Sequence, residues 1–105
     1  MFNLLNRIYP ALKNFPKSEK YALTQDIKKC FLEYLTYVSR ANKVKSKRLT
    51  YSQEAEAYLQ KIKSLVKLSF RQHYISKGFY EDISLELTEV SKMLAGYMRS
   101  IGNKK

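Results

Sequence analysis

The chain has 105 residues and a formal net charge of +11, with 20 Lys and Arg against 9 Asp and Glu. Its length predicts one domain over residues 1–105, and its 45% hydrophobic content argues against a disordered chain. Only 3 Gly and 2 Pro are present, too few for a sheet with many tight turns, and the single cysteine excludes an internal disulfide.

Apolar residues recur at spacings of three and four in four stretches, which is the periodicity of amphipathic helices. The first stretch, over residues 2–15, predicts a short helix that Pro10 should kink or delay. Pro16 disfavours helical geometry in the residue before it. We therefore expect a second helix that is capped by Ser18 and carries its apolar stripe over residues 23–41.

A basic run over residues 42–49 interrupts the apolar period and predicts a short link between helices. Thr50 and Gln53 have the spacing of a capping box, so the third helix is expected to start there. Its apolar stripe covers residues 55–73. Gly78 can adopt the left-handed conformation that ends a helix, and we expect the third helix to end near it.

The fourth predicted helix carries an apolar stripe over residues 79–101. Glu81 and Asp82 suit its start and Arg99 its end, because carboxylates and cations complement opposite ends of the helix dipole. Residues 102–105 are expected to form a frayed tail. Four amphipathic helices with short links predict an all-α, up-and-down four-helix bundle.

Residues that could support enzyme chemistry are scarce. The single histidine, His73, falls on the predicted buried stripe of the third helix, and Cys30 falls on the inward face of the second. The Glu-x-x-His pairs of helical di-iron proteins and the glycine-rich loops of phosphate-binding enzymes are missing from the sequence. We therefore predict no catalytic residue, no metal and no cofactor, and an enzyme that uses His73 or Cys30 is the weakest alternative.

Location follows from cysteine use and hydropathy. A single cysteine fits a reducing compartment. The first residues lack the apolar run of a signal peptide, and no stretch approaches 18 apolar residues. We expect a cytoplasmic protein with no membrane partner.

The positive charge is unevenly distributed. Residues 1–75 carry 15 Lys and Arg against 5 Asp and Glu, and residues 34–53 contain no acidic residue. A one-signed surface of this kind favours a polyanion partner over a merely solvated face. Phosphate contacts would make binding salt-dependent and would discriminate little between sequences. The predicted helices do not indicate a preference for RNA or DNA. The ten candidate cations are Lys28, Lys29, Arg40, Lys43, Lys45, Lys47, Arg48, Lys63, Lys67 and Arg71.

Two further observations leave alternatives open. Leu68 and Leu85 point away from the apolar stripes, which makes subunit contact plausible. The same basic surface also fits a structural bundle that docks an acidic protein and binds no nucleic acid.

Short motifs near both ends of the chain resemble a known family. Tyr9-Pro10, followed by the segment FPKSEKYAL over residues 15–23, is similar to the opening of the accessory variability determinant proteins of diversity-generating retroelements. These are sisters of four-helix proteins encoded in intervening sequences of bacterial 23S ribosomal RNA genes. The closing segment MLAGY over residues 93–97 resembles the family's ending, although Ala95 and Tyr97 depart from its Gly-Gly-Trp-like triplet.

The resemblance implies a basic four-helix protomer that assembles into a homopentamer. It also implies association with a reverse transcriptase and its template RNA, in support of mutagenic cDNA synthesis, with no catalysis by the accessory protein itself. The ribosomal-gene branch is the alternative, and it implies the same fold with a poorly defined role.

Overall fold

The computed structural model describes residues 2–19 and 22–102. Four helices are present, α1 (Phe2–Leu12), α2 (Leu23–Lys43), α3 (Arg48–Arg71) and α4 (Lys77–Gly102), and the described residues contain no strand. They form an elongated body of 48 × 25 × 19 Å. The predicted all-α, up-and-down four-helix bundle is confirmed.

The core is one continuous cluster to which all four helices contribute. Each helix buries the apolar residues that recur at three- and four-residue spacing, because those positions share one face. Phe31 of α2, Leu59 and Ile62 of α3, and Ile83 and Leu87 of α4 are among its most deeply buried side chains. The apolar period therefore predicted the core residues of α2, α3 and α4.

The first helix is much shorter than the others. It has 11 residues, Pro10 among them, and is about 16 Å long, whereas the 26 residues of α4 extend over about 39 Å. The guanidinium of Arg7 pairs with the carboxylates of Asp82 and Glu86 in the first half of α4. Val90 and Tyr97, further along α4, were expected in the core and are only half-buried.

The predicted start of α2 at Ser18 is wrong. A short 3₁₀ turn occupies Lys17–Glu19, and α2 begins at Leu23 without a side-chain cap. The turn is closed by Glu19 N, which donates to Pro16 O at 2.9 Å, and Ala22 N donates to Glu19 O at 3.2 Å. A helix capped by Ser18 would need Ala22 N to donate to Ser18 O four residues earlier, and here Ala22 N donates to Glu19 O instead.

The basic link between α2 and α3 is shorter than predicted. A 3₁₀ turn covers Lys45–Lys47, and α3 begins at Arg48 rather than at Thr50. Arg48 donates from Nε to Ala41 O at 3.0 Å and from Nη2 to Asn42 O at 3.4 Å. Its side chain thus satisfies carbonyls at the end of α2, which ties the two helices together at the link.

α3 ends at Arg71, and the left-handed residue that follows its C-terminus is His73 and not Gly78. His73 has φ 63°, the left-handed conformation, and its N–H donates to Phe70 O at 2.9 Å. Tyr74 N donates to Ser69 O at 2.9 Å, which completes a Schellman motif. Because the helix has already ended, His73 is exposed, and its predicted place on the buried stripe is wrong.

The fourth helix begins earlier than its acidic residues suggested. Ser76 Oγ accepts a hydrogen bond from Phe79 N at 3.1 Å, so Ser76 is the N-cap and Lys77 the first helical residue. Glu81 and Asp82, which were expected to complement the dipole at the helix start, therefore lie in the second turn, and the first turn contains no acidic residue. Glu81 instead approaches Lys77 at 4.0 Å.

Two sequence predictions fall partly outside the described residues. Gly102 is helical, so the predicted tail over 102–105 is wrong at its first residue, and residues 103–105 are not described. Lys20 and Tyr21 of the family-like opening segment also lie outside the described residues.

Candidate nucleic-acid interface

The ten candidate cations have no carboxylate partners in the described part of the chain. The ion pairs found there join Arg7 to Asp82 and Glu86, and Lys77 to Glu81. Each of these involves α4. The positive charge of α2, of α3 and of the link between them is therefore uncompensated by short-range contacts within the described residues.

Five of the cations lie around the link, which we call the basic end. Lys43, Lys45 and Lys47 are exposed there, whereas the guanidinium of Arg48 is already bonded to backbone carbonyls. Arg40 lies 5.1 Å from the centroid of the Tyr37 ring, a cation–π distance. The basic end therefore offers three free ammonium groups and two guanidinium groups with positions fixed by neighbours.

Tyrosines of α2 and α3 pack against one another beside the basic end. Tyr37 stacks on Tyr58 with ring centroids 5.7 Å apart and an angle of 17° between the planes, and it meets Tyr51 at 6.0 Å. Aromatic pairs at these distances add stability beyond the area that they bury. These aromatic contacts fix the position of the Tyr37 ring, against which the Arg40 guanidinium packs.

Two more cations line a groove between α3 and α4. Lys63 and Lys67 lie one turn apart on α3, and the groove has a volume of about 240 Å³. From α4 it receives the hydroxyl-bearing side chains of Tyr80, Ser84 and Thr88. Thr88 Oγ1 already donates to Ser84 O at 2.9 Å, but the two ammonium groups and the hydroxyls of Tyr80 and Ser84 suit a phosphate–sugar backbone, since both group types donate hydrogen bonds to phosphate oxygens.

Lys28 lies elsewhere, in a cleft between α1 and α2 of about 480 Å³ that we call the α1–α2 cleft. Its Nζ is 5.4 Å from the centroid of the Tyr9 ring. Lys13 lines the same cleft and was missed by the sequence analysis, although its spacing of four residues from Tyr9 was a usable signal. The cleft residues are Tyr9, Pro10, Leu12, Lys13, Thr24, Gln25 and Lys28.

The remaining candidates, Lys29 and Arg71, are exposed on their helices. Consecutive helical residues project about 100° apart, so Lys29 does not share the cleft with Lys28. Arg71 ends α3, whose 24 residues place it about 35 Å from Arg48. The ten cations therefore surround and extend along the bundle, and they do not form one flat patch.

Of the two groups considered for nucleophilic chemistry, His73 is exposed beyond the end of α3 and Cys30 lies in the core. Cys30 is buried, and burial raises the pKa of its thiol, with the nearby cation Lys61 as the main opposing influence. A protonated, buried thiol is a poor nucleophile. Among the described residues, no cluster of three or more His, Cys, Asp or Glu could hold a metal ion, and no helix combines the length and hydropathy needed to cross a bilayer.

The fold and these surfaces define the class of protein: a small all-α bundle with positive charge left uncompensated on its middle helices. Residues 1–101 match the family model described as bAvd-like, and the chain belongs to that family. The resemblance to accessory variability determinant proteins is thereby confirmed. No curated protein and no solved structure matches the chain.

Proposed function

We propose that this protein is a non-catalytic accessory subunit that binds nucleic acid and associates with a retroelement reverse transcriptase and its template RNA. Membership of the bAvd-like family supports the accessory role in mutagenic cDNA synthesis. The observation that carries the nucleic-acid contact is the lack of ion pairs at all ten candidate cations in the described part of the chain. Uncompensated cations attract a polyanion without first breaking internal contacts.

The extended arrangement of the cations suits a long ligand. The 35 Å of α3 corresponds to about ten base pairs of duplex at 3.4 Å per nucleotide of each strand. Lys63 and Lys67 would bind phosphates along the α3–α4 groove, and the lysines of the basic end would bind phosphates beyond it. Contacts of this kind position a nucleic acid without selecting its sequence, which suits a subunit that serves a polymerase.

Assembly into a homopentamer is part of the proposal. Leu85 and Met93 of α4 are 66% and 68% exposed, and Leu32 of α2 and Leu68 of α3 are also exposed. The second half of α4, beyond the reach of α1, has apolar side chains that are only half-buried. A second protomer packed there would complete their burial and would repeat the basic surfaces around a ring.

The salt dependence of RNA binding tests the nucleic-acid contact. We compare wild-type protein with the double variant Lys63→Gln/Lys67→Gln on single-stranded RNA. The matched control is Lys77→Gln/Lys92→Gln, which removes the same charge from α4. If the two groove lysines bind phosphates, their removal lowers the slope of log K against log salt by about 1.4, at 0.7 per contact, and the control leaves it nearly unchanged.

Two outcomes would contradict the proposal. Wild-type affinity that hardly changes with salt would exclude phosphate contacts and would favour a bundle that docks an acidic protein. Equal losses in both double variants would show that only net charge matters, so the α3–α4 groove would not be the binding surface.

A further inference from the structure

The α1–α2 cleft contains a buried hydroxyl without a partner. Thr24 is only 5% exposed, and its Oγ1 makes no hydrogen bond. Some hydroxyls further along the helices donate to the carbonyl four residues earlier, as Thr36 does to Leu32 and Thr88 does to Ser84, both at 2.9 Å, whereas Thr24 is the second residue of α2, which supplies no carbonyl four residues before it. A buried hydroxyl without a hydrogen-bond partner lowers the stability of the fold. A ligand that enters the cleft and accepts a hydrogen bond from this hydroxyl would remove that cost.

Positive charge distinguishes this hydroxyl from that of Ser91, which also lacks a partner. Ser52 and Ser91 also have buried, unpartnered oxygens in the described residues, but the cavity beside Ser91 is lined by Glu56 and by no cation. The α1–α2 cleft instead places Lys13 and Lys28 around Thr24. Thr24, unlike Ser91, therefore lies in a cavity lined by lysines.

The start of α2 adds to this field. Thr24 lies in the first turn of the helix, where the aligned peptide dipoles are equivalent to a partial positive charge. Ala22 precedes the helix and supplies no side-chain cap. Asp26, the acidic residue of the first turn, is about 200° around the helix from Thr24 and does not line the cleft.

We infer that the α1–α2 cleft binds a phosphate group carried on a nucleoside. The phosphate accepts hydrogen bonds from the ammonium groups of Lys13 and Lys28 and, once the Thr24 side chain rotates about χ1 to turn its buried hydroxyl toward the cleft, from Thr24 Oγ1; Gln25 lies within the same cleft. The volume of the cleft, about 480 Å³, is within the range of small-molecule sites and exceeds what a bare anion fills. Tyr9 and Pro10 supply the apolar wall against which a base packs. The choice of a nucleoside rests on the proposed function, whereas the anion site rests on the cleft itself.

The test uses the substitution Thr24→Val, which keeps the side-chain shape and removes the hydroxyl. Binding of AMP to the full chain is followed by nuclear magnetic resonance titration of backbone amides at constant ionic strength, beside adenosine and inorganic phosphate. We expect AMP to bind, with shifts centred on Thr24 and Gln25, and adenosine not to bind. The substitution should weaken AMP binding by about tenfold or more and raise the melting temperature, because the unpartnered hydroxyl is gone.

Lys28→Gln is the second variant, and Lys63→Gln/Lys67→Gln is the control. The first should weaken AMP binding without adding stability, and the control should leave AMP binding unchanged even where it lowers the salt slope for RNA. The two variants therefore distinguish a failure of AMP binding at the α1–α2 cleft from a failure of RNA binding at the α3–α4 groove.

Oligonucleotides with and without a 5′-phosphate identify the source of the ligand. A Thr24-dependent preference for the phosphorylated strand supports a strand end as the ligand, and binding of AMP alone supports a free nucleotide. Inorganic phosphate that binds as tightly as AMP would overturn the nucleoside part of the inference. Equal AMP affinities of wild-type protein and Thr24→Val, or no AMP binding together with no preference between the two strands, would overturn the site.

Discussion

Replacing His73 with glycine should stabilise the protein, although it removes a side chain. His73 has φ 63°, a conformation that costs an L-residue about 1–2 kcal/mol and costs glycine nothing. Glycine also gains about 0.5–1 kcal/mol of freedom in the unfolded chain, which opposes the benefit. Because His73 is exposed and its backbone bond to Phe70 is kept, we expect a net gain of about 0.5–1 kcal/mol. For a chain of this length, the melting temperature should rise by about 2–4 °C.

The assay is urea and thermal unfolding followed by circular dichroism, at one fixed protein concentration because assembly would otherwise shift the midpoint. His73→Ala is the first control, since it keeps a Cβ and should gain little. Gln72→Gly is the second. Gln72 has φ −83°, so glycine there brings only the entropic cost of about 0.5–1 kcal/mol. A His73→Gly variant that loses as much stability as Gln72→Gly would refute the assigned helix end.

Three further predictions concern capping, the core and pH. Ser76→Ala should cost about 1 kcal/mol in chemical unfolding, because Phe79 N loses its acceptor at the start of α4; no loss would mean that Ser76 is not the cap. Ile83→Ala should cost about 2–5 kcal/mol in the same assay, since the side chain is fully buried, and Glu89→Ala, at an exposed position of the same helix, should cost little; similar losses would contradict the assigned faces of α4. Burial raises the pKa of the Cys30 thiol above its ordinary 9.0 and that of the Tyr34 phenol above 10.0. The unfolded chain therefore loses these protons first, and the free energy of unfolding should fall as pH rises past 9.0; a Cys30→Ala variant with an unchanged alkaline decline would exclude the thiol as a cause.

The hydrophobic period predicted the bundle and most of its core because burial acts on whole faces of long helices. Ile27 and Phe31 of α2 and Leu59 and Ile62 of α3 all recur at helical spacing, and all are buried. Leu68 and Leu85 break the period and are exposed, as predicted. Predicting these core residues requires no information about the neighbouring helices, because each amphipathic helix buries its own apolar face.

Helix ends were harder to predict because single hydrogen bonds decide them. Thr50 has a capping-box spacing, yet Arg48 begins α3 through bonds to carbonyls seven and six residues earlier. Gly78 is the residue most tolerant of a left-handed conformation, yet His73 adopts it. Histidine is enriched at positive φ relative to most residues, which was the one available signal. The sequence predicted a short first helix, but its pattern did not show how little of α4 the 11 residues of α1 would cover.

Ion pairs compensate the positive charge of some helices and not of others. Three of the four carboxylates after residue 75 are engaged in ion pairs, two with Arg7 and one with Lys77. The acidic residues of α4 therefore compensate α1 and α4 locally and leave α2, α3 and their link positive. If a nucleic acid binds along α2, α3 and their link, as we propose, it leaves the second half of α4, with its half-buried apolar residues and the exposed Met93, for protein contact. In that proposal, polyanion binding and subunit assembly use different helices of one small bundle, so neither needs to displace the other.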